Sequence, residues 1–125
     1  MIVGLGVDIA EVSRVQAAIE RHGERFLARI FTAAEQAYCE RHRNRFERYA
    51  GRFASKEAAM KALGTGWRAG VRWVDFEVTR NSAGRPSITL HGKALEFAKK
   101  LGVRNISLSI THTGDTAMAQ VIFEN

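Results

Sequence analysis

The sequence is poor in the residues and segments that mark secreted and membrane proteins. Its 125 residues include one cysteine, Cys39, and one proline, Pro86. A single cysteine forms no internal disulfide, which argues against a disulfide-stabilised secreted domain. No uninterrupted apolar run is long enough for a transmembrane helix, and residues 1–14 lack the charged start and long apolar core of a signal peptide. These absences predict a cytoplasmic protein that does not associate with a membrane.

The sequence also lacks internal repeats, low-complexity segments and Gly/Ser-rich linkers. Its length is typical of one domain and allows a hydrophobic core, so we predict a single domain over residues 1–125. The net charge is +6, from 19 lysines and arginines against 13 acidic residues, and there is no basic tail. Such a charge suits an anionic small molecule, an acidic protein or a nucleic acid, and does not choose among them.

Apolar spacing changes from a helical period to a strand period along the chain. A capping box at Thr32 and Glu35 marks one helix start, Asn44 marks another, and Gly23 and Gly64 mark helix ends. The predicted elements are a strand at 2–7, helices at 11–22, 32–43 and 44–63, strands at 73–78 and 87–90, a helix at 93–101, and strands at 106–113 and 117–124. This order predicts an α+β fold in which helices pack on a mostly antiparallel sheet.

Three polar residues break the pattern of their own elements. Glu57 lies within about 20° of Phe46 on the apolar stripe of the third predicted helix. Asp8 stands where an apolar strand ends, and His112 takes the inward slot that follows three aliphatic residues. A buried charge needs a partner or a chemical role, so these positions are candidates for a functional site.

Each of the three also has a structural explanation, which for a single residue is the commoner outcome. Asp8 can cap the helix that follows it, and His112 can be a hydrogen-bonded structural histidine. Glu57 can form a partly buried ion pair. Its possible partners are Lys61, Arg52 and Lys56.

Together, Asp8 and Glu57 favour a metal site. Mg²⁺ typically takes one or two carboxylates and completes its shell with phosphate and water. Lys61, one turn after Glu57, would then offer a positive charge to a phosphate oxygen. Gly64 and Gly66 would let the backbone approach an anion closely, although Gly-Thr-Gly at 64–66 is by itself a helix C-cap.

Four segments, in order and covering essentially the whole chain, resemble the holo-acyl-carrier-protein synthase family, the small bacterial type of 4′-phosphopantetheinyl transferase. They are GVDIAEVSR near the amino terminus, FTAAE, GRFASKEAAMKALGTG in the middle and SITHT near the end. The resemblance implies a Mg²⁺-dependent reaction. The phosphopantetheine arm of coenzyme A moves to a serine of apo-acyl carrier protein, and adenosine 3′,5′-bisphosphate is released.

The resemblance also implies roles for individual residues. Asp8 and Glu57 match the metal ligands, and Lys61 matches a lysine that contacts phosphate, so these three are the expected catalytic residues. The expected coenzyme A pocket contains Lys61, Arg52, Gly64, Gly66, Pro86 and His112. The helix that receives acyl carrier protein is matched by Arg14, Arg21 and Arg25. The family is typically trimeric, with each active site between neighbouring subunits, so a homotrimer is expected.

Two other functions compete with this one. A nucleic-acid-binding module would need aromatic residues interleaved with basic ones, and the cluster that fits is small: Trp67, Arg68, Arg72 and Trp73. A non-catalytic sensor of coenzyme A or a nucleotide could use the same scaffold. Asp8, Glu57 and Lys61 argue against such a sensor, because a protein that only binds coenzyme A or a nucleotide does not require these catalytic residues.

Overall fold

The computed structural model describes residues 1–66 and 70–125. The elements are β1 (Ile2–Glu11), α1 (Val12–His22), α2 (Glu24–Ile30), α3 (Ala33–Glu40), α4 (Arg45–Leu63), β2 (Phe76–Arg80), β3 (Pro86–Leu90), α5 (Gly92–Leu101), β4 (Asn105–Thr113) and β5 (Thr116–Glu124), with a 3₁₀ turn at Trp73–Asp75 before β2. The predicted α+β class with helices and antiparallel strands is confirmed. In the described part of the chain, no helix is both long and apolar enough to cross a membrane.

Residues 73–75 of the strand predicted at 73–78 form a 3₁₀ turn, and the other main differences from the predicted elements lie in the first third of the chain. β1 continues to Glu11 because it pairs with β5 as far as Glu11 and Thr116, so Asp8 lies inside a strand and not at its end. The short helix α2 was not predicted, since its seven residues follow directly on Gly23 and give too few turns for a clear period. The helix that begins at Thr32 ends at Glu40, not near residue 43.

The strands form two antiparallel groups. A three-stranded sheet has the order β1-β5-β4, and β2 pairs with β3 as a separate ribbon. The long helix α4 packs on the three-stranded sheet, and both contribute to one hydrophobic cluster. Its fully buried aromatic residues are Phe31, Tyr49, Phe76 and Phe123.

The face of β1 that meets α4 consists of small residues apart from Asp8. Gly6 and Ala10 are buried there, whereas Leu5, Val7 and Ile9 point to the other side of the sheet and are exposed. A Cβ atom on Gly6 would overlap the carbonyl oxygen of Ala58, and one on Gly4 would overlap that of Ala62. The strand therefore lies almost in backbone contact with the helix.

A buried ion pair joins α4 to α3 and β2. Lys56 Nζ lies 2.8 Å from Glu35 Oε1, and both side chains are fully buried. The same carboxylate accepts hydrogen bonds from the backbone N–H groups of Thr32 and Val78, and Lys56 Nζ donates to the carbonyl of Phe76. Burial lowers the pKa of Lys56, while the charge of Glu35 opposes that shift. The pair is thus satisfied on both sides, as a buried charge pair must be.

The amino end of α1 is capped from the far end of the sequence. Glu11, its N-cap residue, makes no side-chain cap hydrogen bond. The Asp115 carboxylate accepts hydrogen bonds from the backbone N–H and the hydroxyl of Ser13, and the Asp115 carbonyl accepts one from Val12 N–H. The turn between β4 and β5 therefore fixes the start of α1.

The glycine contact gives a first prediction. Gly6→Ala should destabilise the protein by roughly 3 kcal/mol or more, because the added methyl group meets backbone atoms of α4 that cannot rotate away. The measurement is the free energy of unfolding in urea.

Gly23→Ala is the matched control. Gly23 has φ of 52°, and an added Cβ would have no neighbour within 4 Å, so only the positive φ opposes alanine. We expect a smaller loss of about 1 to 2 kcal/mol, which is the backbone cost of a positive φ. Equal effects of the two substitutions would show that the close approach of β1 to α4 does not limit stability.

Candidate active site

Two carboxylates meet where β1 crosses α4. Asp8 lies on the face of β1 that packs on the helix, and Glu57 projects toward it from α4. Burial and then the neighbouring charge of Asp8 raise the pKa of Glu57 to about 7, against the opposing effect of Lys61. Asp8 Oδ2 is buried and has no hydrogen-bond partner in the described part of the protein. Two like charges and an unpartnered oxygen together favour a cation between them.

Lys61 completes this cluster. Its Nζ lies 3.2 Å from Asp8 Oδ1 and 3.1 Å from the carbonyl oxygen of Val7, and more than half of its side chain is exposed. The ion pair considered for Glu57 does not form with Lys61, Arg52 or Lys56 in the described residues. Lys61 instead pairs with Asp8, which leaves its exposed ammonium group able to contact a ligand.

The donor set fits Mg²⁺ better than a metal that needs a complete protein cage. Among the described residues, no group of three or more histidine, cysteine, aspartate or glutamate side chains could hold a metal ion. Asp8 and Glu57 supply two carboxylates, and Mg²⁺ is commonly bound by one or two carboxylates with water and substrate phosphates. The unpartnered Asp8 Oδ2 is the oxygen that such an ion would satisfy.

A second cluster contains Arg52, Pro86 and His112. They line one cavity of about 220 Å³ together with Arg48 and Arg80. His112 lies on the face of β4 that its strand parity predicted, with Ile110 and toward α4, but it is half-exposed beside the turn to β5. Its Nε2 lies 3.2 Å from Glu47 Oε2. Neither Asp8 nor Glu57 lines this cavity. Within one subunit, the predicted site residues therefore form two separate clusters.

The glycines after Lys61 end the helix, as expected. Gly64 takes the left-handed conformation with φ of 83° and donates its N–H to the carbonyl of Met60, and Gly66 also has a positive φ. A Cβ on either would meet no atom within 4 Å, so backbone conformation favours glycine here. Trp67 and Arg68 of the nucleic-acid hypothesis lie outside the described residues.

An apolar groove extends from Glu57 toward α1. This cavity of about 460 Å³ is lined by Glu57, Ile9, Arg14, Val15, Phe26 and Phe53, among others. Arg14 and Arg21 project to solvent from α1. Arg25, expected on the same helix, belongs to α2, because Gly23 ends α1. Arg25 and Arg29 line an adjoining cavity of about 300 Å³.

Sequence reasoning missed several of these lining residues. Arg80 joins Arg52 only through the tertiary structure, since it lies on β2. Arg48 stands one helical turn before Arg52 on α4, so its spacing carried a signal that was not used. Arg29 and Phe26 carried a signal that was not used: both follow Gly23 in an arginine-rich segment that resumes helical spacing.

The comparisons agree with the geometry. Residues 4–121 match the family model of the 4′-phosphopantetheinyl transferase superfamily. The chain is 62% identical over 125 residues to a holo-[acyl-carrier-protein] synthase of Solibacter usitatus, with all of both chains covered.

Two solved structures are also similar. One is the holo-[acyl-carrier-protein] synthase of Neisseria meningitidis, with a TM-score of 0.89, 32% identity and complete coverage of both chains. The other is that of Helicobacter pylori in complex with coenzyme A, with a TM-score of 0.84 and 28% identity over 96% of this chain and 99% of the other. The chain thus belongs to the 4′-phosphopantetheinyl transferase superfamily.

Proposed function

We propose that this protein transfers the 4′-phosphopantetheine arm of coenzyme A to a serine hydroxyl of apo-acyl carrier protein, releasing adenosine 3′,5′-bisphosphate. This is the activity of the holo-acyl-carrier-protein synthases that it matches over its full length. The observation that carries the assignment of the reacting site is the pairing of Asp8 and Glu57 beside Lys61, with one buried carboxylate oxygen left without a partner.

The reaction needs positive charge beside the pyrophosphate of coenzyme A. The serine oxygen attacks a phosphorus of the pyrophosphate, so negative charge grows on the nonbridging and leaving oxygens. Bound Mg²⁺ would supply charge that polarises the phosphoryl group, and Asp8 and Glu57 are the residues to hold it. Lys61 would add a second positive charge, because its exposed ammonium group reaches the same cluster.

The arginine cavity suits the nucleotide end of coenzyme A. Arg48, Arg52 and Arg80 lie around one cavity with His112 and Pro86. Arginine binds phosphate through its forked donors, and coenzyme A carries a 3′-phosphate in addition to its reacting pyrophosphate. We assign the 3′-phosphate to this cavity, since the pyrophosphate must lie with Asp8, Glu57 and Lys61 during transfer.

A homotrimer would bring the two clusters together. The outer face of the three-stranded sheet exposes Leu5, Val7, Ile9 and Met118, with Leu5 56% and Ile9 60% exposed. A contiguous apolar face of this kind is typical of a protein–protein interface. Copies of this chain packed on that face would allow Asp8 and Glu57 of one subunit to share a cleft with Arg52 and His112 of the next.

The first two helices suit an acidic carrier protein. Arg14, Arg21, Arg25 and Arg29 are exposed on them, and the apolar groove beside Arg14 leads to Glu57. An acidic partner docked there would bring its serine toward the reacting site. The exposed arginines would then steer encounter more than they affect chemistry.

The competing functions predict that the mass of acyl carrier protein does not change. A coenzyme A sensor or a nucleic-acid-binding module would leave apo-acyl carrier protein unmodified. Mass spectrometry of the carrier protein after incubation with coenzyme A and Mg²⁺ distinguishes them, because transfer adds one phosphopantetheine arm. A carrier protein of unchanged mass would contradict the proposed function.

Loss of either carboxylate should abolish transfer. We expect Asp8→Asn and Glu57→Gln to lower kcat by about 100-fold or more while the proteins stay folded, and chelation of divalent cations to inhibit the unsubstituted protein. Calorimetric titration with coenzyme A should show Mg²⁺-dependent binding that both variants lose.

Glu96→Gln is the control for this substitution, because Glu96 is an exposed residue of α5 that pairs with Lys93 on the surface. It should retain full activity and Mg²⁺-dependent binding. Full activity of Glu57→Gln would refute the metal site.

Charge reversal on α1 should weaken carrier-protein use alone. Arg14→Glu and Arg21→Glu should raise the KM for acyl carrier protein roughly tenfold and leave the KM for coenzyme A unchanged. Raising the salt concentration should mimic the substitutions, because it screens exposed charges. The measurement is steady-state transfer with each substrate varied in turn at low and high salt.

Arg104→Glu serves as the matched reversal. Arg104 is exposed at the start of β4, at the opposite end of that strand from the turn that caps α1. It should leave both KM values unchanged. If it acts as strongly as Arg14→Glu, net charge and not a docking helix governs the encounter.

The shared-site proposal predicts complementation between two inactive variants. Light scattering should give three times the mass of one chain. Co-expressed Glu57→Gln and Arg52→Gln subunits should regain roughly a quarter of the wild-type activity, since a random trimer pairs two intact half-sites with that frequency. Monomers by light scattering, or no recovery in co-expressed trimers, would contradict the shared site.

A further inference from the structure

Tyr38 of α3 lies at the centre of a cluster of arginines. The Cζ atoms of Arg52 and Arg80 lie 4.2 Å and 5.0 Å from the centroid of its ring, and that of Arg41 lies 5.9 Å away. Its hydroxyl oxygen accepts a hydrogen bond of 2.7 Å from Arg80 and one of 3.4 Å from Arg48. One half-buried side chain thus contacts four guanidinium groups.

These arginines are not paired directly with carboxylates, although Glu35 and Glu77 line one of their cavities and Glu47 lines the other. Within residues 1–66 and 70–125, none of the four forms an ion pair with a carboxylate. Arg52 is only 4% exposed, and its Nε is buried without a hydrogen-bond partner. Four like charges held together in this way favour an anionic ligand, and the aromatic ring is the group that reduces their repulsion in its absence.

Tyr38 does not line the cavity assigned to the nucleotide. It lines a neighbouring cavity of about 300 Å³, and Arg52 and Arg80 line both. Tyr38 thus contacts the two arginines in a cavity that His112 and Pro86 do not line. A ligand in the nucleotide cavity would touch the guanidinium groups and not the phenol.

We infer that Tyr38 is a positioning residue for coenzyme A, which orients Arg52, Arg80 and Arg48 toward a phosphate of that substrate. The inference rests on the proposed function. The ring attracts the guanidinium faces, and the hydroxyl oxygen accepts their N–H groups, so the donors are held in place before the ligand arrives. Preorganised donors bind more tightly because less side-chain freedom is lost on binding.

The test separates binding from chemistry. Tyr38→Phe keeps the ring and removes the acceptor for Arg80 and Arg48. We expect the KM for coenzyme A to rise about fivefold to twentyfold, while kcat and the KM for acyl carrier protein stay within about twofold of the unsubstituted values. With dephospho-coenzyme A, which lacks the 3′-phosphate, the substitution should have little effect. Titration calorimetry with coenzyme A alone gives the same comparison without turnover.

Tyr49→Phe is the matched control, since Tyr49 is the other tyrosine of the chain. Its buried hydroxyl donates to Glu40 at 2.7 Å. We expect this variant to lose stability and keep the KM for coenzyme A. A purely structural role of Tyr38 predicts the same pattern for Tyr38→Phe, and that pattern would overturn the inference.

A double-mutant cycle with Arg80→Ala tests whether the tyrosine acts through arginine. Arg80 is exposed, so its truncation should leave the fold intact. Tyr38→Phe should then cost much less in coenzyme A binding than in the unsubstituted protein, because the shared hydrogen bond is already gone. Fully additive effects would overturn the inference even if both single variants bind weakly.

Failure of the proposed function and failure of the role of Tyr38 give different results. If the unsubstituted protein does not modify acyl carrier protein, the proposed function fails. If it does so and Tyr38→Phe binds coenzyme A normally, only the role of Tyr38 fails.

Discussion

The close contact between β1 and α4 is the constraint on which the site depends. Gly4 and Gly6 leave no room for a side chain between the strand and the carbonyl groups of Ala62 and Ala58. Asp8 lies two residues after Gly6 and therefore on the same face of β1, so its side chain also points toward α4. Its carboxylate consequently meets Glu57 at close range, and burial there raises the pKa of that glutamate to about 7. A bulkier strand face would hold the carboxylates apart.

The helix α4 distributes charge to several partners from one rigid element. Lys56 points into the core and is neutralised by Glu35, while the next residue, Glu57, faces β1. Lys61 reaches back to Asp8 one turn later, and Arg52 lies over the ring of Tyr38. Because the helical period sets these directions, structural and ligand-facing charges alternate within ten residues and still contact different partners. The buried Lys56–Glu35 pair in turn fixes α3, which carries Tyr38, against α4.

The alternation of side chains along β1 also explains the exposed apolar face of the sheet. The glycines take the side of β1 that packs on α4, so its large apolar residues Leu5, Val7 and Ile9 fall on the opposite side. These side chains stay about half exposed within one chain, and in the proposed trimer a neighbouring copy would cover them. One alternation along β1 thus positions Asp8 against α4 and leaves the apolar face on which the proposed trimer would assemble.

Much of the protein was predictable from sequence, and the exceptions have physical reasons. Periodicity and capping residues gave the α+β class, the end of α4 at Gly64 and the strands at the carboxyl end, because those signals are local. Glu57 stood out on an apolar stripe for the same reason. Which face of β1 points inward was not predictable. One face carries aliphatic side chains and the other carries glycines. The glycine face packs inward only because an alanine-rich helix approaches it closely. Likewise the sequence offered Lys56 as an ion-pair partner of Glu57, whereas its partner is Glu35, and nothing in the sequence marked Tyr38 as a neighbour of the arginines. The spacing of residues along the chain determines which side chains share one face of a helix or strand. The element that packs on that face is distant in sequence, so only the tertiary structure decides which side chains meet across it.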